Sequence, residues 1–239
     1  MNATHRWWRA HCRAGKTEKM VLPVSDEIDA LLVRSERLDD EAARPLLKRI
    51  IELAMPGTEV WSHATRELAR RILEKEPWGA SVLVKRVLEH DPEDHLAWGV
   101  LGLAQSLLGN HEYAVGSYER ALRLAPENPW YLHNLGHLYD ALLDRPGVAI
   151  PLLRRSLIRL PNDPHVLASL AHALARVGLE EEARNVMLRV MRGPAIDEHH
   201  ALYRWLLDLS ERAVALHLER QLPSASERRT ARKSRRTLG

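Results

Sequence analysis

Between Asp91 and Arg192 the apolar positions fall three and four residues apart in short runs, and small residues recur at fixed places within them. Ala97, Trp98, Leu101, Ala104 and Leu108 make one such run, the stripe of an amphipathic helix. The runs come in pairs divided by a tight turn, and the pair is written three times. The first copy carries Trp98, Leu101, Gly102, Ala114, Tyr118, Ala121 and Pro126. The second carries Leu132, Leu135, Gly136, Tyr139, Ala149, Leu153, Ser156 and Pro161, and the third Leu167, Leu170, Ala171, Leu174, Ala183, Met187 and Val190. Pro92, Pro126 and Pro161 lie 34 and then 35 residues apart, and the extra residue is expected in the Leu143–Gly147 turn. A period in this range predicts stacked helix pairs, an all-α solenoid.

Gly102 and Gly136 lie inside helical stripes, where glycine costs about 1 kcal/mol against alanine in a free helix. At such positions a neighbouring helix is expected to approach closely, as it is at Ala114, Ala149 and Ala183. Gly109-Asn110 and Gly178 are expected to end the first helices in the left-handed conformation. The three prolines follow the second helices, where a proline stops propagation.

These residues resemble the tetratricopeptide repeat, whose pattern runs W-x-x-L-G-x-x-Y, then A-x-x-x-F, then A, then P. The first copy reads Trp98, Leu101-Gly102 and Gln105, then Ala114, Tyr118, Ala121 and Pro126. Gln105 replaces the usual Tyr, and Tyr118 replaces Phe in a chain that has no Phe. The second copy has Leu132 for Trp and Ser156 for the second Ala, and the third lacks both Trp and Gly. The resemblance covers a little under half of the chain and implies a right-handed superhelix of antiparallel helix pairs.

Outside the three copies, Ser25 or Asp26 is expected to cap a helix running to Val33, with Leu38–Leu53 as its partner. Pro45 is tolerable there if the helix starts near Ala43. Thr58–Glu74 and Gly79–His90 read as a degenerate repeat, because Ala80 precedes Pro92 by the same 12 residues that separate Ala114 from Pro126. After the break at Arg192-Gly193-Pro194, Asp197–Leu222 reads as one long helix with Trp205, Leu206 and Leu209 on its apolar face. It is expected to cap the solenoid, with homodimerisation as the alternative. The expected division is therefore a basic leader over 1–24, divergent pairs over 25–90, three repeats over 91–192, a capping helix over 193–222 and a basic tail over 223–239.

Charge sharpens this division. Residues 1–20 carry a net +4 and residues 223–239 a net +5, so the whole-chain +3 leaves 21–222 at −6. The tail holds Arg228, Arg229, Arg232, Lys233, Arg235 and Arg236 and lacks periodicity, which predicts disorder when it is alone. The single cysteine, Cys12, excludes an internal disulfide and fits a reducing compartment. With no secretory h-region and no long apolar run, a cytoplasmic location without a transmembrane segment is expected. Trp7-Trp8 among basic residues suit base stacking or a lipid interface, or else an unstructured leader. His11-Cys12 has no second cysteine to complete a zinc spacing.

No phosphate-binding glycine loop, nucleophile elbow, H-E-x-x-H or C-x-x-C is present. No enzyme, metal or cofactor is expected. His133 and His137, four apart on one helix face, lack an evident third ligand and read as groove residues. The resemblance implies that the first helices of successive repeats line a groove for a partner segment. Its positions here are Gly99, Leu103 and Ser106, then Trp130, His133, Asn134, His137 and Asp140, then His165, Ser169, His172 and Arg176. Only Asn134 matches the set with which some family members clamp a C-terminal carboxylate. Trp130 serves either as an aromatic anchor or as packing between repeats. Histidines that touch the ligand would make binding change near about pH 6–7. The function expected is a non-enzymatic scaffold or adaptor that binds a protein segment. The alternative is a nucleic-acid-associated protein whose basic tails hold phosphates while the repeats recruit another factor; an anionic membrane surface is a third use for such tails.

Overall fold

The computed structural model describes residues 24–192, 199 and 201–209. The expectations for the leader, the basic tail and most of residues 193–222 lie outside the described residues. Those described are helices and the turns between them, with no strand among them. The chain divides into two compact units, residues 1–71 and 72–239.

In the first unit, α1 (Val24–Ser35) packs on α2 (Asp40–Leu53), and α3 (Glu59–Ile72) runs to the unit boundary. Asp39 caps α2 by accepting from the Ala42 N–H. The helix starts before Ala43, so Pro45 lies within it rather than at its first position. Arg71 ties the unit together. Its guanidinium donates to the Ser35 and Leu38 carbonyls and pairs with Glu67 and Asp40. A cation at the carbonyl end of α1 is favourably placed against that helix dipole.

The second unit holds α4 (Pro77–His90), then three helix pairs: α5 (His95–Leu107) with α6 (His111–Leu124), α7 (Pro129–His137) with α8 (Pro146–Arg159), and α9 (Pro164–Arg176) with α10 (Glu180–Met191). Each of these helices packs on the next along the chain, and α7 also touches α9. This is the stacking of a solenoid, in which each repeat meets its neighbours. The first helix of each pair is started by a short polar side chain that accepts from its first-turn N–H groups: Asp94 for α5, Asn128 for α7 and Asp163 for α9. Gly109 and Gly178 end α5 and α9 with φ of 77° and 83°. The second helices reach back over the inter-repeat turns, where Arg155 donates to the Pro126 carbonyl and Arg189 to that of Pro161.

Close helix approach is set by the small residues. A Cβ on Gly102 would stand 2.9–3.0 Å from three atoms of the Tyr118 ring, which is 1% exposed. On Gly136 it would stand 2.8 Å from Leu153, which has no exposed surface. Ala114, Ala149, Ala171 and Ala183 are wholly buried. Between the second and third repeats, Ala149, Leu153, Leu167, Leu170, Leu174, Met187 and Val190 form one core, to which Leu206 of the helical residues 201–209 adds its side chain.

One local expectation is corrected. The extra residue of the second copy is taken up before the Leu143–Gly147 turn, in a π-helical turn at Leu138–Leu142 that continues α7. There the Leu143 N–H reaches back five residues to the Leu138 carbonyl. The wider turn admits one more residue without ending the helix, and Asp144 at φ 55° completes the reversal.

Glycine-to-alanine changes at a packed and at an open position should act in opposite directions. Gly102→Ala is expected to lower stability by about 1–2 kcal/mol, because overpacking a rigid buried ring outweighs the gain in helix propensity. Gly116→Ala, on an exposed face of α6 with nothing within 4 Å of the added methyl, is expected to raise it by about 0.5–1 kcal/mol. Urea unfolding of both variants against the parent chain measures the two signs.

Candidate functional site

A cleft of about 430 Å³ opens along α7 and α9 and is closed on one side by residues 199 and 202. The regular helix stripe explains its lining. Residues 133, 134 and 137 recur on one face of α7, and 165, 169 and 172 on the matching face of α9, as the 3.6-residue period requires. Asn134, Ala141, Ala168 and Leu202 complete the walls.

Five imidazoles therefore meet in one cleft. The His133 ring nitrogen Nε2 stands 3.1 Å from the Ser169 hydroxyl, which fixes both side chains across the α7–α9 seam. The His133 and His137 rings are 6.4 Å apart, and His165 lies 5.4 Å from His199. Burial lowers the His133 pKa to about 4, helped by the neighbouring His137. His137 is shifted downward too, by desolvation and then by His172, with Asp140 opposing; its ring keeps an exposed edge. His133 is thus a neutral donor and acceptor across the interval near about pH 6–7 in which an ordinary histidine would charge, and His137 is biased the same way. The acid response of His133 moves below that interval.

Behind the cleft lies the one buried carboxylate of this region. Asp140 is 1% exposed, and its Oδ2 is 2.5 Å from His172 Nδ1 while its Oδ1 is 3.0 Å from Arg176 Nη1. Arg176 also donates to the Asp140 carbonyl and pairs with Asp144. The π turn carries Asp140 inward, so the groove role expected of it is corrected: it orders His172 and Arg176 rather than facing a guest. His172 also lies 5.4 Å from the Trp205 ring.

The remaining groove positions separate. Leu103 and Ser106 lie on α5, outside the cleft, and Leu103 is 36% exposed. Trp130, 51% exposed at the start of α7, also lies outside it. Gly99 is buried beneath Tyr131, whose Cε1 would stand 2.4 Å from an added Cβ. The Tyr131 hydroxyl is 3.0 Å from His95 Nδ1, and this pair fills the first repeat's share of the groove. A second groove of about 780 Å³, edged by Trp78, Trp98 and Tyr113, takes none of the expected residues. His199 and Leu202 were not marked by the repeat register because they follow the third copy. Arg228, Arg229, Arg232, Lys233, Arg235 and Arg236 lie outside the described residues. Among the described residues no group of three or more His, Cys, Asp or Glu side chains is arranged to hold a metal ion, and no helix is long and apolar enough to cross a membrane.

Residues 97–129 match the sequence model of the tetratricopeptide repeat. Together with the stacked helix pairs, this match gives the chain a tetratricopeptide-type repeat at 97–129 within a helical solenoid. Among solved structures of the same fold, PilF of Pseudomonas aeruginosa superposes with a TM-score of 0.65 at 21% identity, covering 88% of this chain and 97% of that one. A thermophilic TPR protein of Thermus thermophilus gives 0.59 at 20% identity, covering 77% and 99%. YrrB, described as a TPR protein with an unusual peptide-binding site, gives 0.57 at 21% identity, covering 69% and 84%. At these identities the likeness is one of fold. Protein FlbA of Caulobacter vibrioides is 27% identical over 158 residues, which are 65% of this chain and 26% of FlbA. The chain thus spans about a quarter of that relative's length.

Two measurements test the geometry. Asp140→Ala is expected to cost about 3 kcal/mol, since it leaves Arg176 and His172 without their buried partner. Asp144→Ala, at a carboxylate 88% exposed, is expected to cost under about 1 kcal/mol. For His133, the unfolded chain holds the extra proton between about pH 6.5 and about pH 4, so stability falls as pH falls through that window, by at most about 1.4 kcal/mol per pH unit. Urea midpoints at about pH 7 and pH 5 should show a smaller acid loss for His133→Gln than for the parent.

Proposed function

We propose that the protein is a non-enzymatic scaffold that holds a segment of a partner protein in the α7–α9 cleft. The observation that carries this is the cleft itself. Two successive first helices and the following helical residues present hydrogen-bonding rings and short apolar walls to one open channel. Such a surface suits an extended segment or a helix held by shape and a few polar contacts. The Ser169 hydroxyl is bonded to His133, but no carboxylate is seen bonded to that ring to orient it as the base of a nucleophilic triad. Trp130 stands exposed at the mouth of α7 and is assigned as an accessory anchor. The description of YrrB as peptide-binding supports the class of ligand.

The test is affinity capture from a lysate of the source cells, read by mass spectrometry, with and without nuclease. A His137→Ala/His165→Ala variant changes two exposed side chains of the cleft and should fold normally. We expect its bound partner to fall by about tenfold or more, the scale of one or two interface anchors. A partner unaffected by this variant, but lost on nuclease treatment or on deletion of residues 223–239, would transfer the function to the basic tail and nucleic acid.

A further inference from the structure

We infer that the cleft takes a carboxylate-rich protein segment and that the segment binds with uptake of protons by the cleft histidines. This rests on the reading that the cleft holds a protein segment and names that segment's chemistry. Charge complementarity selects the guest. His133, His137, His165, His172 and His199 face or line the channel from three helical stretches. The charged groups around them are few, and none is among the described residues that line the channel. Asp140 has both carboxylate oxygens on His172 and Arg176, and Arg176 is spent on Asp140 and Asp144. Asp163 caps α9 by accepting from the His165 and Val166 N–H groups. Arg204 and Asp208, on the helical residues 201–209, are exposed and outside the cleft lining.

A cationic guest would therefore find imidazoles and, in the described lining of the cleft, no carboxylate. An acidic guest finds imidazoles that become cations when a proton is supplied. Desolvation favours the neutral form of both His133 and His137. A carboxylate brought into hydrogen-bond reach reverses that balance, because a nearby opposite charge favours the protonated ring. The apolar walls at Ala141, Ala168 and Leu202 lower the local dielectric and strengthen each such bond. No lysine or arginine is among the described residues that line the cleft to hold a carboxylate at every pH. Recognition here is accordingly conditional on pH.

The probe is fluorescein-labelled acetyl-hexaglutamate, with acetyl-hexalysine as its counterpart, titrated against the full-length chain and against a 223–239 deletion. We expect hexaglutamate to bind about tenfold more tightly near pH 5.5 than near pH 7.5, the change that a single linked proton gives over about one pH unit. Calorimetry in two buffers of different ionisation enthalpy should then show net proton uptake. The deletion should keep this pH dependence, and His137→Gln/His165→Gln should lose it while its circular dichroism and melting temperature stay unchanged. Binding of hexaglutamate that is independent of pH, that disappears with the tail, or that survives in the double variant overturns the inference, as does equal binding of hexalysine. If hexaglutamate fails while a captured partner is still lost from the His137→Ala/His165→Ala variant, the cleft keeps its function and only the acidic chemistry falls.

Discussion

The structure depends on how closely neighbouring helices approach. At Gly102 the Tyr118 ring lies where a side chain would otherwise begin, and at Gly136 Leu153 does the same. The wholly buried alanines of the second helices allow the matching approach from the other side. Interiors are close-packed, so a methyl group added at these seams has nowhere to go. The seams in turn set the spacing of the first helices, and α7 and α9 meet near enough for His133 and Ser169 to share a hydrogen bond. The cleft follows from this packing.

Electrostatics then gives the cleft its character. The π turn adds one residue to the second repeat and carries Asp140 into the protein, where it is held by Arg176 and His172. A buried carboxylate without such partners would carry a desolvation cost of several kcal/mol. With them it fixes the His172 ring, and no carboxylate stands among the described residues that line the channel. The same desolvation that Asp140 overcomes acts on His133, where it outweighs the opposing charge of Asp163 and lowers the pKa to about 4.

The helices, their order and their repeat were legible in the sequence because each rests on local rules. Apolar spacing places the stripes, and the buried positions Leu101, Ala104, Leu132, Leu135, Leu167 and Leu170 are those the stripes marked. Gly109 and Gly178 take the left-handed conformation that the turns require. The capping residues Asp94, Asn128 and Asp163 recur with the same 34- and 35-residue spacing as the prolines, a signal the proline register only hinted at. The π turn escaped because an inserted residue can be absorbed in a turn or in a widened helix with the same hydrophobic pattern, and only the hydrogen-bond ladder distinguishes them.

The histidines of α7 and α9 could be assigned to one face from their spacing, since a 3.6-residue period needs no tertiary information. Which of the expected groove residues share a cavity could not. Gly99 falls on the groove register, yet Tyr131 from the next repeat covers it, a contact across 32 residues that no local pattern encodes. Asp140 fell on the groove register and turned inward because the π turn rotated it. His199 and Leu202 close the cleft from beyond the third repeat, where the period has ended. The sequence by itself determined the helices, their pairing and which faces are apolar, because these depend on residues three or four apart. The tertiary structure decided which side chains face a common space and which are neutralised, because burial and charge pairing are set by residues that meet only after the helices have stacked.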